Sequence, residues 1–140
     1  MPLTVAQLVQ TGRLESVPAD RATAAARLVR AEQHLVTASA LVGQDNEVAY
    51  GSLYDAARKA VTAHMLANGL RAPAKPGAHE SVGAYAVERV PDPTGSVREF
   101  QRLRRRRNKS EYDDITFGRR EVEADLLLAS DIVSAVRSSL

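Results

Sequence analysis

Arg98-Glu-Phe-Gln-Arg-Leu-Arg-Arg-Arg-Arg-Asn-Lys-Ser-Glu-Tyr112 gathers six arginines and one lysine into fifteen residues. Val97, Phe100 and Leu103 recur at helical spacing, and no Gly or Pro interrupts the run from Val97 to Phe117. The stretch therefore reads as a helix. Thr94 or Ser96, just after Pro93, is the expected N-cap. At about 100° per residue, Phe100 and Leu103 set an apolar direction, and Arg107 falls on it. Arg104 and Glu111 flank that direction, while Arg102, Arg105 and Arg106 point the other way. Arg107 is thus expected at a seam, within the chain or between two chains. Arg102, Arg105 and Arg106 are expected to face solvent or a partner.

A guanidinium at such a seam keeps its proton and needs a carboxylate or a phosphate. Glu111, one turn after Arg107, is a candidate. Crowded like charges on a helix cost about 0.2–0.5 kcal/mol per pair. That is small against a domain stability of about 5–15 kcal/mol. The cluster is tolerable without a ligand, so a merely solvated basic face explains it as well.

The rest of the chain supplies helices for this one to pack on. Residues 4 to 11 read as a short helix capped by Thr4 and stopped by Gly12, with Arg13 to Ala19 as a connector. Asp20 caps a long helix to about residue 42, with Ala24, Leu28, Ala31, Leu35, Ala38 and Val42 on one stripe and His34 off it, exposed. Asp45 or Asn46 caps a second, to about residue 68. Its apolar face carries Tyr50, Leu53, Tyr54, Ala57, Val61, His64, Met65 and Asn68. Gly51 within it suggests the close approach of another helix. His64 is read as a satisfied core histidine, and Gly69 as the stop. Pro73 and Pro76 exclude helix from the next loop. A helix over about 78 to 89 follows, with Val82, Tyr85 and Ala86 on its apolar face and His79 in its first turn. The last helix, about 118 to 138, carries Val122, Leu126, Ala129, Val133, Val136 and Leu140 on a heptad-like stripe, beside Leu127 and Ile132. Asp113, Asp114, Glu121, Glu123 and Asp125 bring carboxylates close to the arginines and are able to neutralise some of them.

Composition bounds the function. A chain of 140 residues suits one core, here residues 19–140, preceded by a short helix and connector over residues 1–18. Apolar residues are chiefly Ala, Leu and Val, which suits closely packed helices. There is no cysteine, and the three histidines are scattered, so neither a disulfide framework nor a metal site is expected. No phosphate-cradling glycine loop, metalloprotease motif or serine-hydrolase elbow appears, and no cofactor is expected. No apolar run approaches a membrane span, so the expectation is a cytoplasmic chain without membrane contact. The net charge is only +2, so any nucleic-acid footprint must come from local clustering.

The order Arg107-Asn108-Lys-Ser-Glu-Tyr112 resembles the signature of the HEPN superfamily (higher eukaryotes and prokaryotes nucleotide-binding). In that signature an arginine and a polar follower precede a histidine by four to six residues. Arg107 matches the arginine and Asn108 the follower, but Tyr112 stands in place of the histidine. Ala49-Tyr-Gly-Ser-Leu-Tyr-Asp-Ala-Ala-Arg-Lys-Ala60 and Gly77-Ala-His79-Glu-Ser-Val are similar to segments of small actinobacterial-type members. The resemblance covers roughly residues 20 to 138. It implies an all-α, up-down bundle of four to five helices and a homodimer whose arginine helices meet in a basic cleft.

For function it implies an RNA-associated protein, with a divergent metal-independent ribonuclease of a toxin–antitoxin or defence system as one reading. Arg107, Asn108 and Tyr112 would be its catalytic set, and Arg102, Arg104, Arg105, Arg106 and Lys109 its nucleic-acid contacts. An antitoxin, such as a nucleotidyltransferase-like protein, is the implied partner. The second reading is a non-catalytic helical interaction protein that binds a protein partner. Tyr112 weighs towards it, because a phenol titrating near 10 is a poor base at neutral pH. A phenol still hydrogen-bonds phosphate or stacks on a base. His79 is a substitute imidazole that nothing in the sequence places near Arg107.

Overall fold

The computed structural model describes residues 3–112 and 115–140. Asp113 and Asp114, two of the expected counter-charges, lie outside the described residues. The described residues form an all-α bundle of six helices with one minimal strand pair. Helix α1 (Val5–Gln10) starts at a reciprocal capping box. The Thr4 hydroxyl accepts from the Gln7 N–H at 3.1 Å, and the Gln7 side chain accepts from the Thr4 N–H at 2.9 Å. Helices α2 (Arg21–Leu41) and α3 (Asn46–Ala67) begin at Asp20 and Asp45, whose carboxylates accept from the Thr23 and Val48 amides. The short turn between them makes an antiparallel pair: the Asp20 amide, at the start of α2, donates to the Leu66 carbonyl near the end of α3.

Helix α3 is the axis of the fold. The expected Tyr50, Leu53, Tyr54, Ala57, Val61, His64 and Met65 are buried, and so are Ala49, Ala56, Ala60 and Ala63 on its other sides. Alanine there lets α2, which buries Ala24, Leu28, Ala31 and Ala38, approach closely. Asn68, assigned to the same face, stays exposed and donates to the His64 carbonyl at 2.8 Å. His34 is half-buried rather than exposed, and its Nε2 is covered with no hydrogen-bond partner among the described residues. Burial, then the charge of Lys59, lowers its pKa.

Helix α6 (Arg119–Ser139) lies along α3 in the same direction. Its start meets Tyr50, and Leu140 packs on Ala24, Ala63 and Ala67 at the far end. Val122, Ala129, Ile132, Val133 and Val136 are buried, so the heptad-like stripe is spent inside the chain. Leu127, expected beside it, is 68% exposed.

Helix α4 (Ala78–Arg89), a 3-10 turn (Val97–Glu99) and α5 (Phe100–Tyr112) close the bundle. Phe100 and Leu103 are fully buried, with Phe100 against Tyr54. Neither Thr94 nor Ser96 caps this element. Asp92 does, its carboxylate accepting from the Val97 and Arg98 amides at 2.8 and 3.3 Å. The Ser96 hydroxyl is engaged elsewhere, donating to Asp131 at 2.9 Å.

The connector after α1 holds one element that periodicity did not predict. Strand β1 (Glu15–Ser16) pairs antiparallel with β2 (Leu70–Arg71). Gly69, at φ +78°, makes this possible, since an added Cβ would sit 3.0 Å from the Val17 carbonyl oxygen. Val5, Leu8 and Leu14 bury themselves in the same core as the long helices. Gly51 corrects an expectation in the opposite sense: nothing lies within 4 Å of where its Cβ would be. It borders a surface hollow, not a helix contact. Among the described residues no helix is long and apolar enough to cross a membrane.

Candidate nucleic-acid interface

The arginines of α5 divide by what the neighbouring helix offers. Arg102 donates to both oxygens of Asp125, at 3.2 and 3.0 Å, and to Glu99 at 2.9 Å. Asp125 is only 4% exposed and also accepts from the Tyr50 hydroxyl at 2.7 Å. Arg106 forks onto Glu121 at 2.6 and 2.9 Å, and its guanidinium lies 4.9 Å from the centre of the Phe117 ring. Phe117 in turn stacks on Tyr50 at 4.3 Å. These contacts correct the expectation that Arg106 faces solvent or a partner, whereas Arg102 stays exposed as expected but is tethered to α6. The two apolar residues located the core but not the acidic flank of α6, which runs antiparallel to α5 and meets its far side.

The electrostatics follow from the pairing. Burial, then the bond to Asp125, pushes the Tyr50 hydroxyl far above its ordinary range. Hydrogen bonds to Asp125 and Glu99 raise Arg102, and the bond to Glu121 raises Arg106. Both guanidiniums are therefore fixed as charged struts between α5 and α6. Of the expected counter-charges, Glu121 and Asp125 serve the arginine helix, whereas Glu123 pairs with Arg119 at 2.9 Å within α6.

Arg107 follows the expectation. It pairs with Glu111 at 2.6 Å, one turn on. Arg107, Asn108 and Tyr112 line one cleft of ≈ 360 Å³. Tyr54, Asp55 and Arg58 from α3 complete its wall, and so does His79 from the first turn of α4. Tyr112 is 86% exposed, with its ring free at the rim. Burial raises the Tyr54 hydroxyl, against the charges of Arg58, Arg104 and Arg107. Beyond Arg107 lies a shallower hollow over Gly51, bordered by Glu47, Asp55 and Glu111.

Arg104 and Arg105 do not join this cleft. They line a separate one of ≈ 670 Å³ with Arg13 from the N-terminal connector. Arg104 is anchored there by donating to Gln101 at 2.8 Å. Lys109 is exposed and lines neither. The candidate site residues thus fall into a pair tied to α6, two separate clefts and one solvated lysine.

Residue order missed His79 as a partner of Arg107. The only sequence signal was its position two residues after Gly77, at the mouth of α4. What brings it to Arg107 is the joint packing of α4 and α5 on α3. Among the described residues no cluster of His, Cys, Asp or Glu is arranged to hold a metal ion. Comparison of the chain with protein-family models, curated proteins and solved structures gives no significant match.

Proposed function

We propose that the Arg107 cleft binds RNA and cleaves it without a metal ion. The observation that carries this reading is His79, an imidazole lining the same cleft as Arg107, Asn108 and Tyr112. It supplies the side-chain type that the Arg107–Tyr112 stretch lacks, and imidazole changes charge near neutral pH. Arg107 and Arg58 hold the scissile phosphate, and Asn108 orients it. The phosphate displaces Glu111, whose half-exposed carboxylate turns to water. His79 takes the proton of the ribose 2′-OH as that oxygen attacks phosphorus. The bond to the 5′-oxygen breaks, and the leaving oxygen takes a proton from water. The products are a 2′,3′-cyclic phosphate and a free 5′-hydroxyl. Tyr112, exposed at the rim, stacks on a neighbouring base.

A second reading has its own support. Ion pairs within the chain neutralise Arg102, Arg106 and Arg107, three of the six cations of α5. The chain is then a non-catalytic toxin–antitoxin or stress-defence subunit that binds a protein. In both readings the resemblance implies a homodimer, and for a toxin an antitoxin of nucleotidyltransferase-like type.

Incubation of a mixed RNA pool with the protein and a chelator separates the two. Cleavage to cyclic-phosphate ends is expected from the wild type. His79→Ala and Arg107→Ala should each lose about a hundredfold or more, and Tyr112→Phe should retain activity. Cleavage that survives His79→Ala would remove the imidazole from the mechanism. No cleavage by the folded wild type would leave the interaction reading.

A further inference from the structure

We infer that the cleft between α2, α3, β2 and the start of α4 is a binding site for a small amphipathic organic anion. The inference goes beyond the RNA reading and stands without it. The cleft encloses ≈ 590 Å³, within the range of about 300–1,000 Å³ typical of small-molecule sites. Four cationic side chains line it: Arg27 from α2, Arg58 and Lys59 from α3, and Arg71 from β2. No carboxylate among the described residues does.

The four cations are not equivalent. Arg71 pairs with Glu15 at 2.7 Å, and Arg58 approaches Asp55 at 3.7 Å. Arg27 and Lys59 have no carboxylate within ion-pair distance among the described residues, and Arg27 donates to the Thr62 carbonyl at 3.4 Å. Burial, then the charge of Arg58, lowers the Lys59 pKa, with Asp55 opposing. An arriving anion supplies that missing counter-charge.

The floor decides what kind of anion. Met65 and Val82 are almost fully buried beneath the cleft, and Leu70 and Pro73 form its apolar side. A sugar–phosphate backbone would leave these surfaces unused. A compact apolar body with one carboxylate or phosphate group satisfies both the floor and the Arg27–Lys59 pair. The Arg107 cleft differs in charge, since Asp55 and Glu111 stand in its wall. Arg58 and His79 line both clefts, so the two sites adjoin.

Titration calorimetry of the whole chain with anilinonaphthalene sulfonate tests this. N-phenylnaphthylamine, the same rings without the sulfonate, is the neutral control. The sulfonate is expected to bind as one molecule per chain, about tenfold or more tighter than the neutral probe. The Arg27→Gln/Lys59→Gln double variant should weaken it by about tenfold, with Arg105→Gln unchanged. Lys59→Met, which keeps the apolar stem, should show part of the loss and guards against misfolding of the double variant. Equal binding of the two probes, or sulfonate binding indifferent to Lys59→Met and the double variant, overturns the proposal. So does absence of binding.

Discussion

Two basic regions of this molecule differ in how the fold disposes of their charge. Helix α5 is the most arginine-dense stretch in the chain, yet Arg102 and Arg106 are consumed by Asp125 and Glu121 of α6, and Arg107 carries Glu111. The α2–α3 cleft draws on scattered, ordinary-looking cations, yet Arg27 and Lys59 there have no paired carboxylate among the described residues. Charge density in sequence measures how many cations a segment has. Free positive potential depends on which of them the fold supplies with carboxylates. The arginine helix is therefore first a structural clamp, and only its Arg107 side and its Arg104–Arg105 side face clefts.

The sharpest way to break this comparison is Arg102→Ala. It leaves the Asp125 carboxylate buried with only the Tyr50 hydroxyl to hold it. A loss of about 1.5–3 kcal/mol in denaturant unfolding is expected, because Asp125 is buried while Arg102 is half-exposed. A loss within about 1 kcal/mol, the value of an exposed pair, would show that Arg102 is no clamp.

The contrast extends to the histidines and gives a smaller, pH-dependent effect. His64 is buried, exchanges a 2.7 Å hydrogen bond with the Tyr85 hydroxyl, and is held below its ordinary value near 6.5 by burial. The same burial pushes Tyr85 up to about 12. The folded chain thus binds the His64 proton more weakly than the unfolded chain. Its stabilising contribution is complete above about pH 6.5 and is lost as pH falls through the folded value. His34, lowered by its own burial, adds in the same sense. The melting temperature should therefore fall between about pH 7.5 and about pH 5. His64→Gln should flatten that dependence. A pH-independent melting temperature would show that burial does not disfavour the charged form of His64.

The smallest effect is expected at Arg105→Ala. This exposed guanidinium has no ion pair among the described residues, so stability should stay within about 0.5 kcal/mol. If RNA affinity nevertheless falls and its salt dependence loses about one counterion, the Arg13–Arg104–Arg105 cleft belongs to the RNA path as well. An unchanged salt slope confines that path to the Arg107 cleft.

Much of the helical framework was legible because its signals are local. Thr4, Asp20 and Asp45 act as the caps that side-chain chemistry predicts. The stripes of α2 and α6 became core in large part, as their spacing required. His64 is the satisfied core residue it was read to be. Failures came where a side chain's partner lies far along the chain. Asp92 replaced Ser96 as the cap because Asp131, from α6, took the Ser96 hydroxyl. Gly51 was read as a helix contact, but the space beside it is open. The strand pair carries no periodic signal in two residues per strand and depends on Gly69 meeting Val17.

The candidate site shows the same division. Sequence alone determined that the chain is helical, where most helices begin, and that Arg107 and Glu111 share one helical turn, because i to i+4 geometry needs nothing beyond the helix itself. Only the tertiary structure decided that Arg102 and Arg106 pair with carboxylates of α6, that Arg104 and Arg105 leave the Arg107 cleft, and that His79 enters it. Those outcomes depend on the angles at which α4, α5 and α6 pack on α3. The packing angles come from the summed shape of many small apolar side chains, and no single residue announces them.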